Sequence, residues 1–330
     1  MTIISNSTAL AIKDAAASLI AGNLVAFPTE TVYGLGADAS NQQAVARIYE
    51  VKGRPTDHPL IVHVSSIDKL DKWAKDIPEY AVKLARAFWP GPMTLILPRT
   101  ELAKDFITGG QNNVGIRVPA HTVALSLLKE FEAQGGNGIA APSANKFGKV
   151  SPTSSDDVMA ELSDYLNSND LILDGGQSSV GVESTIIDCT KTTPVILRPG
   201  GITNKMINEL LGLQIEVYTK NNSDQIRASG LLESHYSPIA KVYLSGNPEP
   251  GDGFIALSKF PTPTGVTRLA APENNIEYAR VLYKALRLAD IKKLSKVFVI
   301  PPVGDGIEAA ICDRLQKAAK IQKTFLILPI

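Results

Sequence analysis

Cysteine is nearly missing from this chain. Cys189 and Cys312 stand far apart and outside any C-x-x-C pair. A disulfide scaffold and a thiol redox motif are therefore not expected, and both residues read as reduced cysteines in or near the core. Histidine is scarce as well. His58, His63, His121 and His235 form no H-x-x-x-H pair and have no cysteine at zinc-finger spacing, so no protein-held metal site is expected. Aromatic residues make up 6% of the chain, which offers few platforms for stacking bases. Net charge is also absent. The 33 basic and 33 acidic residues cancel, and the whole-molecule field gives no reason for strong nonspecific nucleic-acid binding. No apolar run approaches the roughly 20 residues of a membrane span. The N-terminal stretch has no basic region followed by an apolar core, so it does not read as a secretory signal. A cytoplasmic protein with no membrane association is the expectation.

The usual announcements of nucleotide chemistry are missing too. There is no G-x-x-x-x-G-K-[ST], and Gly34-Leu35-Gly36 lacks the third glycine of G-x-G-x-x-G. There is no G-x-S-x-G, and no histidine has an evident Ser or Cys partner, so a covalent intermediate is not expected. If phosphates bind here, side chains must meet them.

What is present is a soluble globular composition, 44% hydrophobic and 20% charged. At 330 residues the chain suits one large domain or two of ordinary size. Apolar runs predict strands at residues 23–27, 58–64, 93–97, 114–118, 138–141, 171–173, 184–188 and 195–197. Helical periodicity predicts helices at 9–21, 41–51, 79–87, 123–131, 156–166 and 204–211. Within 41–51, Ala44, Val45, Ile48 and Val51 share one face at the 3.6-residue period. Strands this numerous, with helices between only some of them, predict a large mixed sheet. Polarity rises from Thr219 to Arg227, which marks a linker running to Pro238. The expected organisation is a first domain over residues 1–218, a linker over 219–238 and a small α/β domain over 239–330. In that last part strands are expected at 242–244, 254–257, 296–300 and 325–328, with helices at 277–294 and 306–320.

Candidate binding residues cluster at the ends of these elements. Lys52 and Arg54 flank Gly53 before Pro55, and His58-Pro59-Leu60 follows. Read as an extended loop, this segment points both cations to one side, where they suit a polyanion such as a triphosphate or form a solvated basic turn. Arg117, Lys146, Lys149 and Arg198 complete the cations beside strand ends or loops. Hydroxyls and amides recur at the same kind of place: Thr29 and Thr31, Ser143 and Asn145, Ser151 and Thr153, Ser184 and Thr185. They can hold a carboxylate, hydroxyl or phosphate, or serve as ordinary turn residues. His58 and His63, five residues apart around an apolar strand, are expected to face opposite ways. His121 sits at a helix start and reads as structural.

These residues occur in an ordered series of motifs: Phe27-Pro28-Thr29-Glu30-Thr31-Val32-Tyr33-Gly34-Leu35, Lys52-Gly53-Arg54-Pro55, Trp89-Pro90-Gly91-Pro92-Met93-Thr94, Pro142-Ser143-Ala144-Asn145, Gly181-Val182-Glu183-Ser184-Thr185 and Arg198-Pro199-Gly200. The series resembles the threonylcarbamoyl-AMP synthases, the YrdC-like enzymes of tRNA modification. Ser234-His235-Tyr236-Ser237-Pro238 and Ile311-Cys312-Asp313-Arg314-Leu315 resemble the long, two-domain form. The resemblance implies an α/β fold: a YrdC-like twisted mixed sheet around a basic concave cavity, plus a small C-terminal Rossmann-like domain. It implies a reaction of L-threonine, bicarbonate or carbon dioxide, and ATP with Mg²⁺. The products would be threonylcarbamoyl-AMP and pyrophosphate, the former passing to a downstream threonylcarbamoyl-transferase machinery.

Position by position, the resemblance assigns L-threonine to Thr31, His63, Arg117, Ala141 and Ser184. It assigns ATP to Arg54, His58, Asn113, Ser143, Asn145, Ser151, Arg198, His235 and Tyr236, with Lys52 and Arg54 as catalytic residues. The linker is expected to gate the site. The sequence departs from the family pattern at Asn113, where a threonine is expected, and at Leu231-Leu232-Glu233-Ser234, which replaces a more basic stretch. The competing reading is a non-catalytic double-stranded RNA or tRNA-binding module, with weak RNA binding a possible accessory property. A carbamoyl-adenylate enzyme of the hydrogenase-maturation type would need zinc-finger cysteines that this chain lacks.

Overall fold

The computed structural model describes residues 3–218, 227–228, 230 and 236–319, with residues 3–5 as backbone only. The expected strand at 325–328, His235 and most of the expected linker lie outside the described residues. In chain order the first part comprises β1 (Ile3–Asn6), α1 (Ala9–Ile20), β2 (Val25–Phe27), β3 (Gly34–Asp38), α2 (Gln42–Lys52), β4 (Ile61–His63), α3 (Leu70–Trp73), α4 (Glu79–Phe88) and β5 (Met93–Pro98). It continues through α5 (Asp105–Thr108), β6 (Asn113–Arg117), α6 (Thr122–Ala133), β7 (Ile139–Ala140), α7 (Ser155–Leu162), β8 (Leu171–Asp174), β9 (Thr185–Asp188), β10 (Val195–Arg198), α8 (Asn204–Leu211) and β11 (Glu216–Val217). The second part holds β12 (Lys241–Tyr243), β13 (Gly253–Ile255), β14 (Thr267–Ala270), α9 (Asn275–Ile291), β15 (Lys296–Val299) and α10 (Ile307–Ala319).

The first part builds one mixed sheet of 11 strands in the order β1-β8-β2-β3-β7-β4-β6-β5-β9-β10-β11. The second builds a separate four-stranded sheet, β12-β15-β13-β14, whose pairings are all parallel. The large mixed sheet and a small α/β part are expected from the alternation of apolar runs; the parallel pairing of the second sheet, and strands β1, β3, β11 and β14, are not among those expectations.

One local expectation needs correction. Lys52 is the last residue of helix α2, and Gly53 closes that helix in the left-handed conformation at φ 62°. The segment is therefore a helix C-terminus and not an extended loop, because glycine tolerates the left-handed cap that ends α2. Gly34-Leu35-Gly36, for which no strand is expected, is strand β3, paired antiparallel to β2. Gly36 is needed there: a Cβ would lie 2.7 Å from Ile139 Cγ2 and 2.8 Å from Phe27 Cε1.

The sheet's two faces are covered unequally, and this creates the site. On one face Leu24, Ala26, Val62, Leu95, Ile116, Ile172 and Ile187 join one large core with residues of α2, α4, α7 and α8. On the other face α1 and α6 cover only the β2, β7 and β8 region, through Leu19, Leu127 and Phe131 against Val25, Phe27, Ile139 and Leu173. Because side chains alternate along a strand, Ile61, His63 and Arg117 point away from the large core. No helix of α1–α8 packs over them, and they become the floor of a cavity.

The second part docks beside this cavity. Its core, built on Leu282, Tyr283, Leu286, Ile311 and Leu315, takes in Val32, Val150, Val182 and Tyr236. Helix α9 meets the first part at Gly181, where φ is +81° and a Cβ would lie 2.4 Å from Arg280 Cα. Arg280 Nε donates to Ser179 O at 3.0 Å, and Arg287 pairs with Glu161 at 2.9 Å.

Candidate active site

The open face of the central strands bounds a narrow cavity. Its walls carry Thr29, Thr31, Tyr33, Arg54, His63, Arg117, Ala141, Ser143, Glu183, Ser184, Arg198, Gly230 and Tyr236, with Ile61 on the floor.

The strand ends place these groups by simple register. His63 and Arg117 are partners across the parallel β4–β6 ladder, so both reach the cavity side by side. Arg117 is buried, and its Nη2 donates to Glu30 Oε1 at 2.7 Å. Glu30 Oε2 accepts from the Ala120 amide at 3.0 Å, which fixes the carboxylate. Two polar atoms of this corner, Arg117 Nε and His63 Nδ1, are buried without a hydrogen-bond partner. Buried polar atoms normally have one, so both are available to a further partner. Burial, reinforced by the nearby Arg117 charge, pushes the His63 imidazole down to about 3, so it is neutral near pH 7. Beside it the Thr29 and Thr31 hydroxyls lie 2.8 Å apart.

On the opposite wall Arg198 grips the β9 entrance. Its Nε and Nη2 donate to Ser184 O at 3.1 and 2.8 Å, and Nη2 also reaches Ser184 Oγ at 3.1 Å. Ser184 Oγ lies 2.8 Å from Thr94 Oγ1. Burial lowers the Arg198 pKa from its ordinary value. Glu183 sits behind this wall. It accepts from Ser151 Oγ at 2.6 Å, Tyr283 Oη at 2.8 Å and Arg314 Nε at 2.8 Å. Burial alone would raise its carboxyl. The Arg314 and Arg198 charges, with the Ser151 hydrogen bond, outweigh burial and hold it at about 2.

Arg54 closes a third side. Its Nη2 donates to Pro59 O at 3.0 Å, its guanidinium lies 5.8 Å from the Phe147 ring, and burial lowers its pKa to about 10. Gly230 and Tyr236 line the remaining side, and buried Tyr236 stacks on Tyr283 with ring centroids 5.7 Å apart. Arg227 pairs with Asp57 at 3.1 Å and donates to Gly109 O at 2.7 Å.

Several residues expected at the site lie elsewhere. Lys52 is buried behind the cavity, its ammonium donating to Ser143 O at 2.6 Å and to Asn145 O. Burial, then the Arg54 charge, hold its pKa well below the usual lysine value. Asn145 turns its amide to Lys146 O and Lys149 O at 2.7 and 2.9 Å. Ser151 contacts Glu183 instead of the cavity. His58 packs edge-on against Phe147 at 5.4 Å, outside the lining. Lys146 reaches Val51 O and the Tyr165 ring, leaving Arg54, Arg117 and Arg198 as the cations on the wall among the six expected. Asn113 lines an adjoining narrow slot with Ile61, Ile96, Ile186, Arg227 and Ala228. His121 caps helix α6 by accepting from the Val123 amide at 3.2 Å, the structural role expected of it.

The sequence reading gave no role to Glu30, Glu183, Gly230, Tyr283 or Arg314. Glu30 and Glu183 stand as single acids in otherwise uncharged stretches, Pro28 to Gly36 and Val180 to Ile187, which is the one signal that could have pointed to them.

Three arginines and several hydroxyls thus line one cavity on the open face of a mixed sheet in an α/β protein, groups of the kind that bind anionic substrates. Comparison with known proteins sharpens this. Residues 17–200 match the family described as Telomere recombination (Sua5_yciO_yrdC), and residues 202–320 match the Threonylcarbamoyl-AMP synthase, C-terminal domain. The chain is 41% identical to a threonylcarbamoyl-AMP synthase of Pyrococcus abyssi, over 93% of this chain and 94% of that one. It is 38% identical to the Bacillus subtilis threonylcarbamoyl-AMP synthase, over 93% and 92% of the two chains. The crystal structure of P. abyssi Sua5 complexed with L-threonine superposes with a TM-score of 0.88 at 39% identity, covering 96% of this chain and 98% of that one. The chain belongs to the threonylcarbamoyl-AMP synthase family, in its two-domain form.

Proposed function

We infer that this protein joins L-threonine, bicarbonate or carbon dioxide, and ATP into threonylcarbamoyl-AMP and pyrophosphate, for threonylcarbamoyladenosine modification of tRNA. It is a nucleotidyltransferase. The observation that carries the assignment of substrates to walls is the pair of unpartnered buried atoms, Arg117 Nε and His63 Nδ1, beside the Thr31 hydroxyl. Arg117 supplies a fixed cation for an amino-acid carboxylate. Thr31 and Ser184 supply hydroxyls for a side-chain oxygen, and Ala141 leaves room for a methyl.

ATP takes the opposite half of the cavity. Arg54 and Arg198 flank the phosphates, Ser143 offers a hydroxyl, and Tyr236 with Gly230 forms the cover. The Asn113 slot shares Ile61 with the main cavity and is lined by apolar Pro59, Leu60, Ile96 and Ile186 together with Gln111, Asn113 and Arg227, which places Asn113 beside the ATP half. His58 stands close to Arg54 through its own carbonyl, which accepts from Arg54 Nε at 3.3 Å, so it supports the phosphate arginine from behind. Lys52 supports Ser143 in the same way.

The chemistry needs no protein nucleophile. The threonine amine bonds to the carbon of carbon dioxide and loses a proton, giving a carbamate. A carbamate oxygen then bonds to the α-phosphorus as the bond to the bridging oxygen of pyrophosphate breaks. Starting from bicarbonate, one water is released. Positioning and neutralisation of phosphate charge by the arginines are the main contributions available to this site. Among the described residues no group of three or more His, Cys, Asp or Glu could hold a metal ion. Glu183 and Glu30 are both engaged by arginine. Magnesium would enter with ATP and would supply neutralisation of phosphate charge beside Arg54 and Arg198.

Family membership favours this reading over a non-catalytic RNA-binding module. The downstream partner is a transferase that accepts a mixed carbamic–phosphoric anhydride. Among the described residues no helix is long and apolar enough to cross a membrane. Pyrophosphate release from ATP, with L-threonine and bicarbonate omitted in turn, tests the proposal. Release should require both. Release that ignores threonine, or tight salt-sensitive tRNA binding with no turnover, would overturn it.

A further inference from the structure

We propose that Arg314, on helix α10 of the second part, is a positioning residue for the cavity, acting through Glu183 and Pro199 on Arg198 and Tyr236. This rests on the ATP assignment above and adds a task for the C-terminal part.

The Arg314 side chain has no solvent exposure. Its Nε donates to Glu183 Oε2 at 2.8 Å and its Nη1 to Pro199 O at 3.0 Å. Glu183 directly precedes Ser184, and Pro199 directly follows Arg198, so one guanidinium spans the two chain segments whose side chains form the phosphate wall. The Cζ of that guanidinium lies 5.3 Å from the centroid of the Tyr236 ring. One helical turn away, Lys317 Nζ donates to the carbonyl of Gly230 at 2.7 Å, and Asp313 pairs with both cations, at 2.6 Å to Arg314 and 2.7 Å to Lys317. Residues three and four apart share a helix face. A single face of α10 therefore holds the wall at two points and the Gly230 side at a third.

A buried arginine is a poor choice for mere adhesion between two parts, since apolar residues of similar volume commonly do that at least as well. The fork of Arg314 instead sets geometry: it can satisfy a carboxylate and a carbonyl in one plane, which fixes the spacing of β9 and β10 at their cavity ends. The same arginine holds Glu183 ionised, and an ionised Glu183 is available to fix the Ser151 and Tyr283 hydroxyls.

The test uses the full chain and separates positioning from adhesion. Arg314→Met leaves Glu183 buried without its partner and is expected to lower Tm. The double variant Glu183→Gln with Arg314→Met removes both charges and should recover much of that Tm. If Arg314 positions the phosphate wall, KM for ATP should stay raised by about ten-fold or more in the double variant, while KM for L-threonine moves less than about three-fold. Arg314→Lys, which keeps the charge but cannot span Glu183 and Pro199 together, should be intermediate for ATP. A wild-type KM for ATP in the double variant or in Arg314→Lys would overturn the proposal. So would equal rises for both substrates that follow Tm. Threonine-independent pyrophosphate release by the unmodified protein would instead refute the underlying reading of the reaction, and is scored separately.

Discussion

Arg117 and Glu30 form a buried ion pair at 2.7 Å, with side-chain exposures of 6% and 7%, and the Arg117 Nε stays buried without a hydrogen-bond partner. The carboxylate aims the guanidinium without consuming all of its donors. Glu30→Gln preserves shape but removes the charge that orients Arg117. KM for L-threonine should rise by about ten-fold, the loss of one charge-assisted bond, while ATP affinity changes little. Calorimetry of the two ligands on the variant checks this; equal weakening of both would mean the corner is a scaffold and not a threonine contact.

His63 carries the second unpartnered atom. Its folded pKa is depressed, to about 3 from 6.5, by burial and by Arg117. The unfolded chain therefore takes up a proton near pH 6.5 that the folded chain refuses until about 3. The stability this contributes is fully present above the unfolded value and is lost progressively as pH falls across that window. Ring resonances of His63 in a histidine-labelled sample should not titrate between pH 8 and 5. A midpoint near the ordinary histidine value would contradict this.

Lys52 and Arg54 are neighbours in sequence with different tasks. Lys52→Met removes the two donations to Ser143 O and Asn145 O and should lower stability by about 1.5–3 kcal/mol for each charged hydrogen bond lost. Arg54→Ala should leave Tm nearer the parent and weaken ATP binding about ten-fold or more. Thermal unfolding and ATP calorimetry on both variants separate the two roles. Unchanged ATP affinity in folded Arg54→Ala would remove it from the phosphate site.

Gly230 has φ +79°, and a Cβ there would lie 2.3 Å from Tyr236 Oη and 2.9 Å from Arg198 Nη1. Gly230→Ala is strained in backbone and crowds both neighbours. KM for ATP should increase by about ten-fold, a larger effect than the roughly 1 kcal/mol backbone cost alone would produce. Steady-state kinetics with ATP varied at saturating threonine reads this directly; an ATP KM within two-fold of the parent would show that the Gly230 side does not touch ATP.

Substrate choice follows from the hydroxyls. Thr31 and Ser184 line the cavity as hydrogen-bonding groups, and a site built to bond a substrate hydroxyl rejects analogues that lack it. L-threonine should be strongly preferred over L-valine, with L-serine a weak substrate because it lacks the methyl. Competition of the three amino acids in pyrophosphate release measures the ratios, and valine turnover equal to threonine would refute the pocket.

By itself the sequence predicted a large mixed sheet, a small α/β part and most of the longer helices, and its resemblance to the family pointed, position by position, to Thr31, His63, Arg117, Ser184 and Arg198. Those are local features: apolar periodicity, turn residues and runs of unusual composition depend on neighbours along the chain. What only the tertiary structure decided was which side of each motif faces the cavity. Lys52 and Asn145 sit in motifs beside lining residues yet point into backbone carbonyls, because a helix terminus at Gly53 turns Lys52 inward. Glu30, Glu183 and Arg314 were opaque for the opposite reason. Their partners lie 87 and 131 residues away along the chain. A buried charge declares its purpose only once its counter-charge is brought against it, and that meeting is made by the folding of the sheet and the docking of α10.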